Sequence, residues 1–157
     1  MKRRKQKSSR TRLLRLWSLN EATLAVPYLH SVIGSLREHW LEVLATQRRL
    51  DRSPAHQAPA KRTQLIAHEI GTEERQRAQA KFDDALEELN KIDIFLLDPV
   101  DGSALIPFRK GDDLAWYVFD YFSPRGLIGW RHHGDPIDEC RPLAELEAPV
   151  GAGAAAQ

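Results

Sequence analysis

The chain has 157 residues, a length that fits one domain with a hydrophobic core and leaves little room for a second. Its formal charge of +1 conceals an asymmetry: residues 1–15 hold eight basic and no acidic side chains, whereas the other 142 residues carry a net charge of −7. The single cysteine, Cys140, excludes an intramolecular disulfide and favours a cytoplasmic location, and no apolar run approaches the roughly 20 residues of a membrane span.

Residues 1–15 contain no pattern that would bury apolar side chains, so we expect them to form a disordered basic tail. Basic side chains in such a tail can neutralise nucleic-acid phosphates. The candidates for this role are Lys2, Arg3, Arg4, Lys5, Lys7 and Arg10. Attachment to a ribosome or a membrane surface, or simple solvation of an acidic domain, would fit the same composition, so nucleic-acid binding stays one alternative among several.

A first long helix is predicted over residues 18–50. Ser18 and Glu21 have the spacing of a capping box, in which the hydroxyl and the carboxylate each accept a backbone N–H. Apolar residues then recur every three or four positions, as on one face of a helix: Leu29, Val32, Ile33, Leu36, Trp40, Val43 and Leu50. Pro27 has no amide proton for a helical hydrogen bond, so we expect a bend there. Residues 51–61, which contain two prolines, are predicted to be a connector.

A second helix is predicted over residues 62–91. Its evidence is a heptad repeat typical of coiled coils, formed by Ala78, Phe82, Ala85, Leu89 and Ile92. Gly71 could instead end one helix, with Thr72 capping the next, but we favour a single helix that is weakened at Gly71. The two helices would form an antiparallel hairpin, and its remaining apolar surface would need a sheet or a second subunit to cover it.

After Lys91 the apolar pattern changes from the helical repeat to the alternation of strands, and a sheet is predicted over residues 94–132. Strand candidates, separated by turn-forming residues, are 94–97, 104–108, 114–122 and 127–132. The fold class is therefore α+β, with a long antiparallel helical hairpin followed by a small three- to four-stranded antiparallel β-meander. We assign residues 16–148 to one domain that ends in a polar segment, 133–148, and expect a disordered alanine- and glycine-rich tail at 149–157.

Residues 97–103, Leu-Asp-Pro-Val-Asp-Gly-Ser, resemble the metal-binding signature of inositol monophosphatase-like enzymes, in which two aspartates hold Mg²⁺. Those enzymes have a much larger two-layered fold and a further Trp-Asp motif that this chain lacks. Asp, Pro and Gly are also the residues that β-turns favour. We therefore interpret the segment as a turn.

Two further segments contain side chains that could carry chemistry. His132, His133 and Asp135, close to Cys140, could in principle bind a transition metal, but their spacing matches no standard site and adjacent histidines on a strand point to opposite faces. We therefore predict no metal or other cofactor. Six of the twelve aromatic residues lie within 15 positions: Trp116, Tyr117, Phe119, Tyr121, Phe122 and Trp130. Such residues could stack on nucleobases, but both alternating sets of side chains in strand 114–122 are apolar, so we expect both faces of that strand to be covered.

Three parts of the sequence together follow a known pattern. They are Trp17-Ser18-Leu19-Asn20-Glu21-Ala22 with Pro27 downstream, the run from Pro107 to Trp116, and Gly129-Trp130-Arg131 followed by Gly134-Asp135-Pro136 and Arg141-Pro142-Leu143. Over residues 16–143 the chain resembles an uncharacterised bacterial family catalogued as domain of unknown function 2203. The resemblance implies a helical pair followed by a small sheet. Where typical members carry an acid and a histidine after their tryptophans, this chain has Asp120 and His132. The family has no established activity, so the resemblance leaves the function open.

The chain contains none of the usual nucleophile, phosphate-loop or dinucleotide-binding motifs, so we assign no catalytic residue. Our first hypothesis is a non-enzymatic cytoplasmic interaction module that forms a homodimer. The second is a small-ligand or metal-binding domain that uses polar groups at the sheet edge, with the candidates Asp112, Trp116, Asp120, Trp130, Arg131, Asp135 and Arg141. The third is a protein that associates with nucleic acid through the basic tail.

Overall fold

A computed structural model describes residues 13–53 and 61–147 and confirms the α+β fold. The helical hairpin consists of α1 (Leu19–Asp51) and α2 (Arg62–Lys91). The strands are β1 (Phe95–Asp98), β2 (Ser103–Lys110), β3 (Asp113–Asp120) and β4 (Leu127–His132), and a single helical turn, α3 (Ala144–Glu147), follows them. Among the described residues, no helix is long and apolar enough to cross a membrane. Residues 1–12 of the predicted basic tail, residues 54–60 of the predicted connector and the whole predicted C-terminal tail, 149–157, lie outside the described residues.

The amino end of α1 is fixed by the predicted capping box and by Trp17. Ser18 Oγ accepts the Glu21 N–H at 3.1 Å, and Glu21 Oε1 accepts the Ser18 N–H at 3.3 Å. Trp17 is buried; its backbone N–H donates to the Pro107 carbonyl oxygen at 2.8 Å and its indole N–H to the Ile92 carbonyl oxygen at 3.2 Å. The segment before α1 is therefore attached both to β2 and to the end of α2.

Both long helices continue through the residues at which the sequence predicts a weakness. Pro27 is exposed and lies inside α1, where its missing amide proton removes one hydrogen bond without ending the helix. Gly71 lies inside α2, as we favoured. Leu50 Cδ2 is 3.0 Å from the position that a Cβ at Gly71 would occupy, so the glycine allows α1 and α2 to pack closely at this point.

The sheet covers only the part of the hairpin nearest to it. In that part Ile33 of α1 and Phe82 of α2 belong to the same buried cluster as the sheet residues, and the Phe82 ring lies 5.1 Å from that of Trp40. Residues 61–77, in contrast, include no buried side chain, and Ile70 is half exposed. The far end of the hairpin therefore extends beyond the main core, and we call it the distal arm (residues 41–53 and 61–77).

The four strands pair in chain order, each antiparallel to the next, which is the predicted meander. Because side chains alternate along a strand, one set faces the helices and forms the inner face of the sheet. The inner face contributes Ala104, Ile106, Phe108, Ala115, Tyr117, Phe119, Leu127 and Trp130 to the core. Phe108 and Tyr117 stack with their ring centroids 4.0 Å apart. The surrounding apolar core raises the pKa of Tyr117 to about 12 by desolvation, so its hydroxyl is neutral at physiological pH.

Residues 99–102 form the turn between β1 and β2 and lie at the centre of the motif 97–103. Asp98 Oδ1 accepts the N–H groups of Val100 and Asp101 at 2.7 and 3.2 Å, and the Gly102 N–H donates to the Asp98 carbonyl oxygen at 2.9 Å. Gly102 has φ +68°, a conformation that glycine adopts readily. The Asp98 carboxylate therefore closes a turn, as the sequence indicated.

Candidate functional site: the outer sheet face and the C-terminal cap

The face of the sheet turned away from the helices, here called the outer face, is apolar and partly open. Its apolar residues are Phe95, Leu105, Pro107, Leu114, Trp116 and Val118, of which Pro107 is fully buried in the single chain, and the exposed Ile128 lies beside Val118 at the β-bulge of β4. We expected both faces of β3 to be covered; in the structure β3 is buried on its inner side, while Leu114, Trp116 and Val118 stay partly exposed. An antiparallel sheet with one solvated side usually carries polar residues on that side. The composition of the outer face is therefore that of a surface meant to be covered.

The size of the outer face is consistent with a binding surface. The four strands have 4, 8, 8 and 6 residues and lie about 4.8 Å apart, so the outer face spans roughly 400 Å². Within this area Phe95 and Ile128 are 38% and 43% exposed, and the rings of Phe95 and Trp116 meet edge to face with centroids 5.7 Å apart. Uncovered apolar patches of several hundred Å² on a single chain usually mark an interaction site.

Charged residues lie at both ends of the outer face. At the β2–β3 turn, Arg109 Nη2 is 2.9 Å from Asp112 Oδ1, and Arg109 Nε donates to the Gly111 carbonyl oxygen at 2.6 Å. At the opposite end, Asp120 Oδ1 accepts the Phe122 N–H at 2.9 Å. A hollow of about 300 Å³ lies at this second end and is lined by Asp101, Ser103, Val118, Phe119, Asp120, Phe122 and Ile128.

Residues 133–147 form a C-terminal cap that closes the open edge of β4. The Trp130 N–H donates to the Arg141 carbonyl oxygen at 2.9 Å, and the Arg141 N–H donates to the Trp130 carbonyl oxygen at 2.7 Å. The Trp130 indole N–H donates to the Pro142 carbonyl oxygen at 3.1 Å, and Leu143 and Leu146 pack against the core. The cap thus continues the hydrogen bonding of the sheet by one isolated bridge.

Gly129 allows the cap to lie directly on the sheet. A Cβ at this position would be 2.5 Å from the Arg141 carbonyl oxygen and would also collide with Cys140 Sγ. Partial burial raises the pKa of the Cys140 thiol, which keeps it protonated at neutral pH and lowers its nucleophilicity. Cys140 is nevertheless solvent-exposed, and its Sγ packs against the backbone of Gly129.

An ion pair between Asp135 and Arg141 holds the cap together. Arg141 Nε is 3.0 Å from Asp135 Oδ2, Arg141 Nη2 is 3.2 Å from Asp135 Oδ1, and the His132 N–H donates to Asp135 Oδ2 at 2.9 Å. The hydrogen bonds from Arg141 and His132 lower the pKa of Asp135 to about 2. At neutral pH the Asp135 carboxylate is therefore ionised and fully engaged in the structure of the cap.

Arg131 is a buried cation beneath the cap, with only 5% of its surface exposed. Its Nη2 donates to the Asp135 carbonyl oxygen, whereas its Nε and Nη1 have no hydrogen-bond partner among the described residues. The nearby Asp135 carboxylate pairs with Arg141 and not with Arg131. Arg131 therefore adds positive charge to the same end of the sheet as Arg109.

The two histidines at the end of β4 make aromatic and hydrogen-bond contacts. His133 Nδ1 accepts the Trp116 indole N–H at 3.1 Å, and the His132 ring lies edge-on to Trp130 with centroids 4.8 Å apart. Asp135, the third metal candidate, is paired with Arg141. Within residues 13–53 and 61–147, no three His, Cys, Asp or Glu side chains come together as potential metal ligands.

The structure brings together some of the predicted ligand-binding residues and separates others. Trp130, Arg131, Asp135 and Arg141 meet at the cap, where they mainly contact one another, and Trp116 is the ladder neighbour of Arg131 on β3. Asp112 and Asp120, in contrast, lie at opposite ends of β3, so they do not join this group. The nucleic-acid candidates Lys2, Arg3, Arg4, Lys5, Lys7 and Arg10 lie outside the described residues.

Comparisons of the chain with protein-family models, with curated proteins and with solved structures find no match. The resemblance to domain of unknown function 2203 therefore stays a prediction. Its most specific residues, Trp130 and Arg141-Pro142-Leu143, are those that join the cap to β4. Function has to be inferred from the outer face and the cap themselves.

Proposed function

We propose that the domain is a non-enzymatic, cytoplasmic interaction module that forms a homodimer through its outer face. The observation that carries this proposal is the apolar, partly exposed surface that includes Phe95, Trp116 and Ile128. A second copy of the chain supplies a surface of matching shape and polarity, because two sheets can pack face to face about 10 Å apart with their side chains interdigitated. The two copies would then enclose one shared apolar layer between two helical hairpins.

The size of the outer face determines how tight such a dimer can be. About 400 Å² from each copy gives roughly 800 Å² in total, which is below the roughly 1,000 Å² of a stable specific interface and fits a weak, transient one. Association must also offset the loss of translational and rotational freedom, which is several kcal/mol or more. We therefore expect a dissociation constant in the micromolar range, so that the dimer forms and separates as the concentration of the protein changes.

The state of the polar residues supports an interaction role over a ligand-binding or catalytic one. The carboxylate of Asp135 is taken up by Arg141, and Trp130 is only 2% exposed. The Cys140 Sγ packs against the Gly129 backbone, and partial burial raises the pKa of its thiol. These side chains are used to attach the cap to the sheet, whereas the outer face stays partly open.

Light scattering coupled to size-exclusion chromatography tests the proposal with one matched pair of variants. Ile128→Gln removes an apolar side chain from the outer face, and Ile70→Gln makes the same change on the distal arm, where the isoleucine is similarly exposed (50%). Covering the exposed part of Ile128, roughly 75 Å², is worth about 2 kcal/mol in each copy at 25 cal/mol per Å². Because the glutamine stem retains part of this contact, we expect dimerisation at least about tenfold weaker for Ile128→Gln and unchanged for Ile70→Gln.

Two outcomes would contradict the proposal. One is a wild-type chain that stays monomeric up to several hundred micromolar. The other is a dimer that Ile70→Gln weakens as much as Ile128→Gln does, which would place the interface on the distal arm. Circular dichroism of each variant shows whether the fold is retained.

A second proposal is nucleic-acid binding through the basic tail, which the charge asymmetry supports. Its test must leave Arg15 in place: the Arg15 N–H donates to Asp93 Oδ2 at 2.8 Å, and its guanidinium carbon lies 3.8 Å from the centroid of the Trp17 ring. We therefore choose deletion of residues 1–12, which keeps these contacts. Retention on RNA and DNA at low salt should fall in the deleted chain; unchanged retention would exclude the tail as a binding segment.

A further inference from the structure

We propose that a pocket between the start of α1, the β3–β4 turn and the C-terminal cap binds a small amphipathic carboxylate, that is, an acid with an apolar body. We call it the cap pocket. Its volume of about 500 Å³ lies within the range of about 300–1,000 Å³ that small-molecule sites occupy. Its lining residues differ from those that the sequence suggested for ligand binding, and the proposal does not depend on self-association of the chain.

The walls of the cap pocket are mainly apolar. They come from the first two turns of α1, the start of β4 and the cap: Leu19, Leu127, Ile128, Pro142, Leu143 and Ala144. Leu19 and Leu143 are partly buried against the main core, whereas Ile128 is 43% exposed. Apolar walls around a concave opening favour the apolar part of a ligand, because binding removes both surfaces from water.

The walls are held in place by the fold itself. The β3–β4 turn lies directly on α1, since a Cβ at Gly126 would be 2.6 Å from Val26 Cγ1. The same turn is closed by the Asp120 N–H, which donates to the Gly126 carbonyl oxygen at 2.8 Å. On the other side, the Trp130 indole N–H fixes the cap through the Pro142 carbonyl oxygen. A ligand would enter a pocket that is already formed, so little affinity is lost in ordering the protein.

Arg125 supplies positive charge to the cap pocket and is the one charged side chain of its lining. Within residues 13–53 and 61–147 its guanidinium makes no hydrogen bond or ion pair. The Ser123 hydroxyl lies in the same turn, whereas Thr23 Oγ1 already donates to the Leu19 carbonyl oxygen at 2.7 Å. Arginine binds a carboxylate with two parallel hydrogen bonds. The polar part of the lining therefore suits an acid.

The acidic residues of the neighbouring segments limit the charge that the ligand can carry. Asp120 Oδ1 accepts the Phe122 N–H, and Asp120 lines the separate hollow beside Ser103. Glu145 is exposed and follows Ala144 on α3. With a single cation in the lining and acids nearby, a second negative charge on the ligand would be repelled. A monovalent carboxylate is therefore favoured over a divalent phosphate.

Titration with octanoate, followed in proton–nitrogen correlation NMR spectra of the full chain, tests the proposal. We expect the backbone amide signals of Leu19, Leu127 and Leu143 to shift together and to saturate. For a ligand of about ten non-hydrogen atoms the dissociation constant should be about 1 mM. Octanol, which has the same body without the charge, should bind about threefold more weakly because it lacks the ion pair with Arg125. Acetate, which has the charge without the body, should cause no saturable shift.

Two variants with a matched control separate the charge from the apolar walls. Arg125→Gln should weaken octanoate binding about threefold and abolish the preference for octanoate over octanol. Arg109→Gln makes the same change at the exposed β2–β3 turn and should leave both affinities unchanged. Ala144→Phe should fill the pocket and remove the saturable shifts with both ligands. Circular dichroism of each variant shows whether the fold is retained, and Ala144→Leu replaces Ala144→Phe if it is not.

Three results would overturn the proposal. The first is the absence of saturable shifts at Leu19, Leu127 and Leu143 up to about 20 mM octanoate, well above the expected dissociation constant. The second is a set of shifts centred on Phe95 and Trp116, which would place octanoate on the outer face. The third is equal affinity of the wild-type chain for octanol and octanoate. All titrations use one protein concentration, so their outcome is distinguishable from the failure or success of dimerisation through the outer face.

Discussion

Replacing Gly129 by alanine should destabilise the fold, because the cap lies directly on the bare backbone at this position. The added methyl group would be 2.5 Å from the Arg141 carbonyl oxygen and would overlap Cys140 Sγ, so the cap would have to move by about 1 Å. Overpacking of this kind raises the free energy of the native state by about 1–3 kcal/mol. Alanine also restricts the unfolded chain more than glycine does, which stabilises by about 0.4–1 kcal/mol. The net expectation is a loss of about 1–2 kcal/mol.

Urea unfolding followed by tryptophan fluorescence measures this loss. The chain offers a matched control in Gly134→Ala, since a Cβ at Gly134 would have no heavy atom within 4 Å. The control should leave the free energy of unfolding unchanged or slightly higher. Equal stability of Gly129→Ala and Gly134→Ala would refute the close contact between the cap and β4, and with it the role assigned to Cys140 and the Trp130–Arg141 bridge.

Three further predictions concern the cap and the hairpin. Ser18→Ala should lower the free energy of unfolding by about 1 kcal/mol, because it removes the capping box. The control Ser31→Ala, at an exposed position in the middle of α1, should not lower it. Equal urea midpoints for the two variants would contradict the prediction. Asp135 has a pKa of about 2, below the ordinary value of about 3.9, so its carboxylate stabilises the fold above about pH 4 and loses that effect as the pH falls through 2. The difference in urea midpoint between wild type and Asp135→Asn should therefore shrink from pH 6 to pH 2, and a difference independent of pH would contradict the ion pair. Gly71→Ala should raise the free energy of unfolding by up to about 1 kcal/mol, because alanine favours a helix more than glycine does. The added methyl group fits if Leu50 Cδ2 moves into the open hollow that Leu50 borders. A lower melting temperature would show that Leu50 does not move.

The fold could be predicted from the sequence because its signals are local. The Ser18 and Glu21 pair marks the start of α1, and the heptad spacing of Ala78, Phe82 and Leu89 identifies the side of α2 that is buried. Turn residues separate the strands one by one, and neighbouring strands joined by short turns pair as a meander. The expected end of order at residue 15 was less exact, since Arg15 already contacts Asp93 and Trp17.

The candidate site was harder to predict because it depends on contacts between distant residues. The joining of Arg141 to Trp130 requires the cap to fold back along β4, and no local spacing in the sequence indicates this. Asp112 and Asp120 were grouped with the cap residues because all are polar and near the sheet, but the length of β3 keeps them apart. The sequence shows that the side chains of β3 on the outer face, such as Trp116, are apolar. Their partial exposure could not be predicted, because it depends on which face of the sheet the helices cover.

Hydroxyl-radical footprinting over a range of protein concentrations tests the central claim most directly, since it reports which side chains become covered as the chain associates. Dimerisation through the outer face predicts that Phe95, Trp116 and Ile128 become protected together as the dimer forms, while Leu65 and Ile70 on the distal arm keep the same reactivity. Protection of the distal arm with an unchanged outer face, or no change in any of these residues between low and high concentration, would contradict the account.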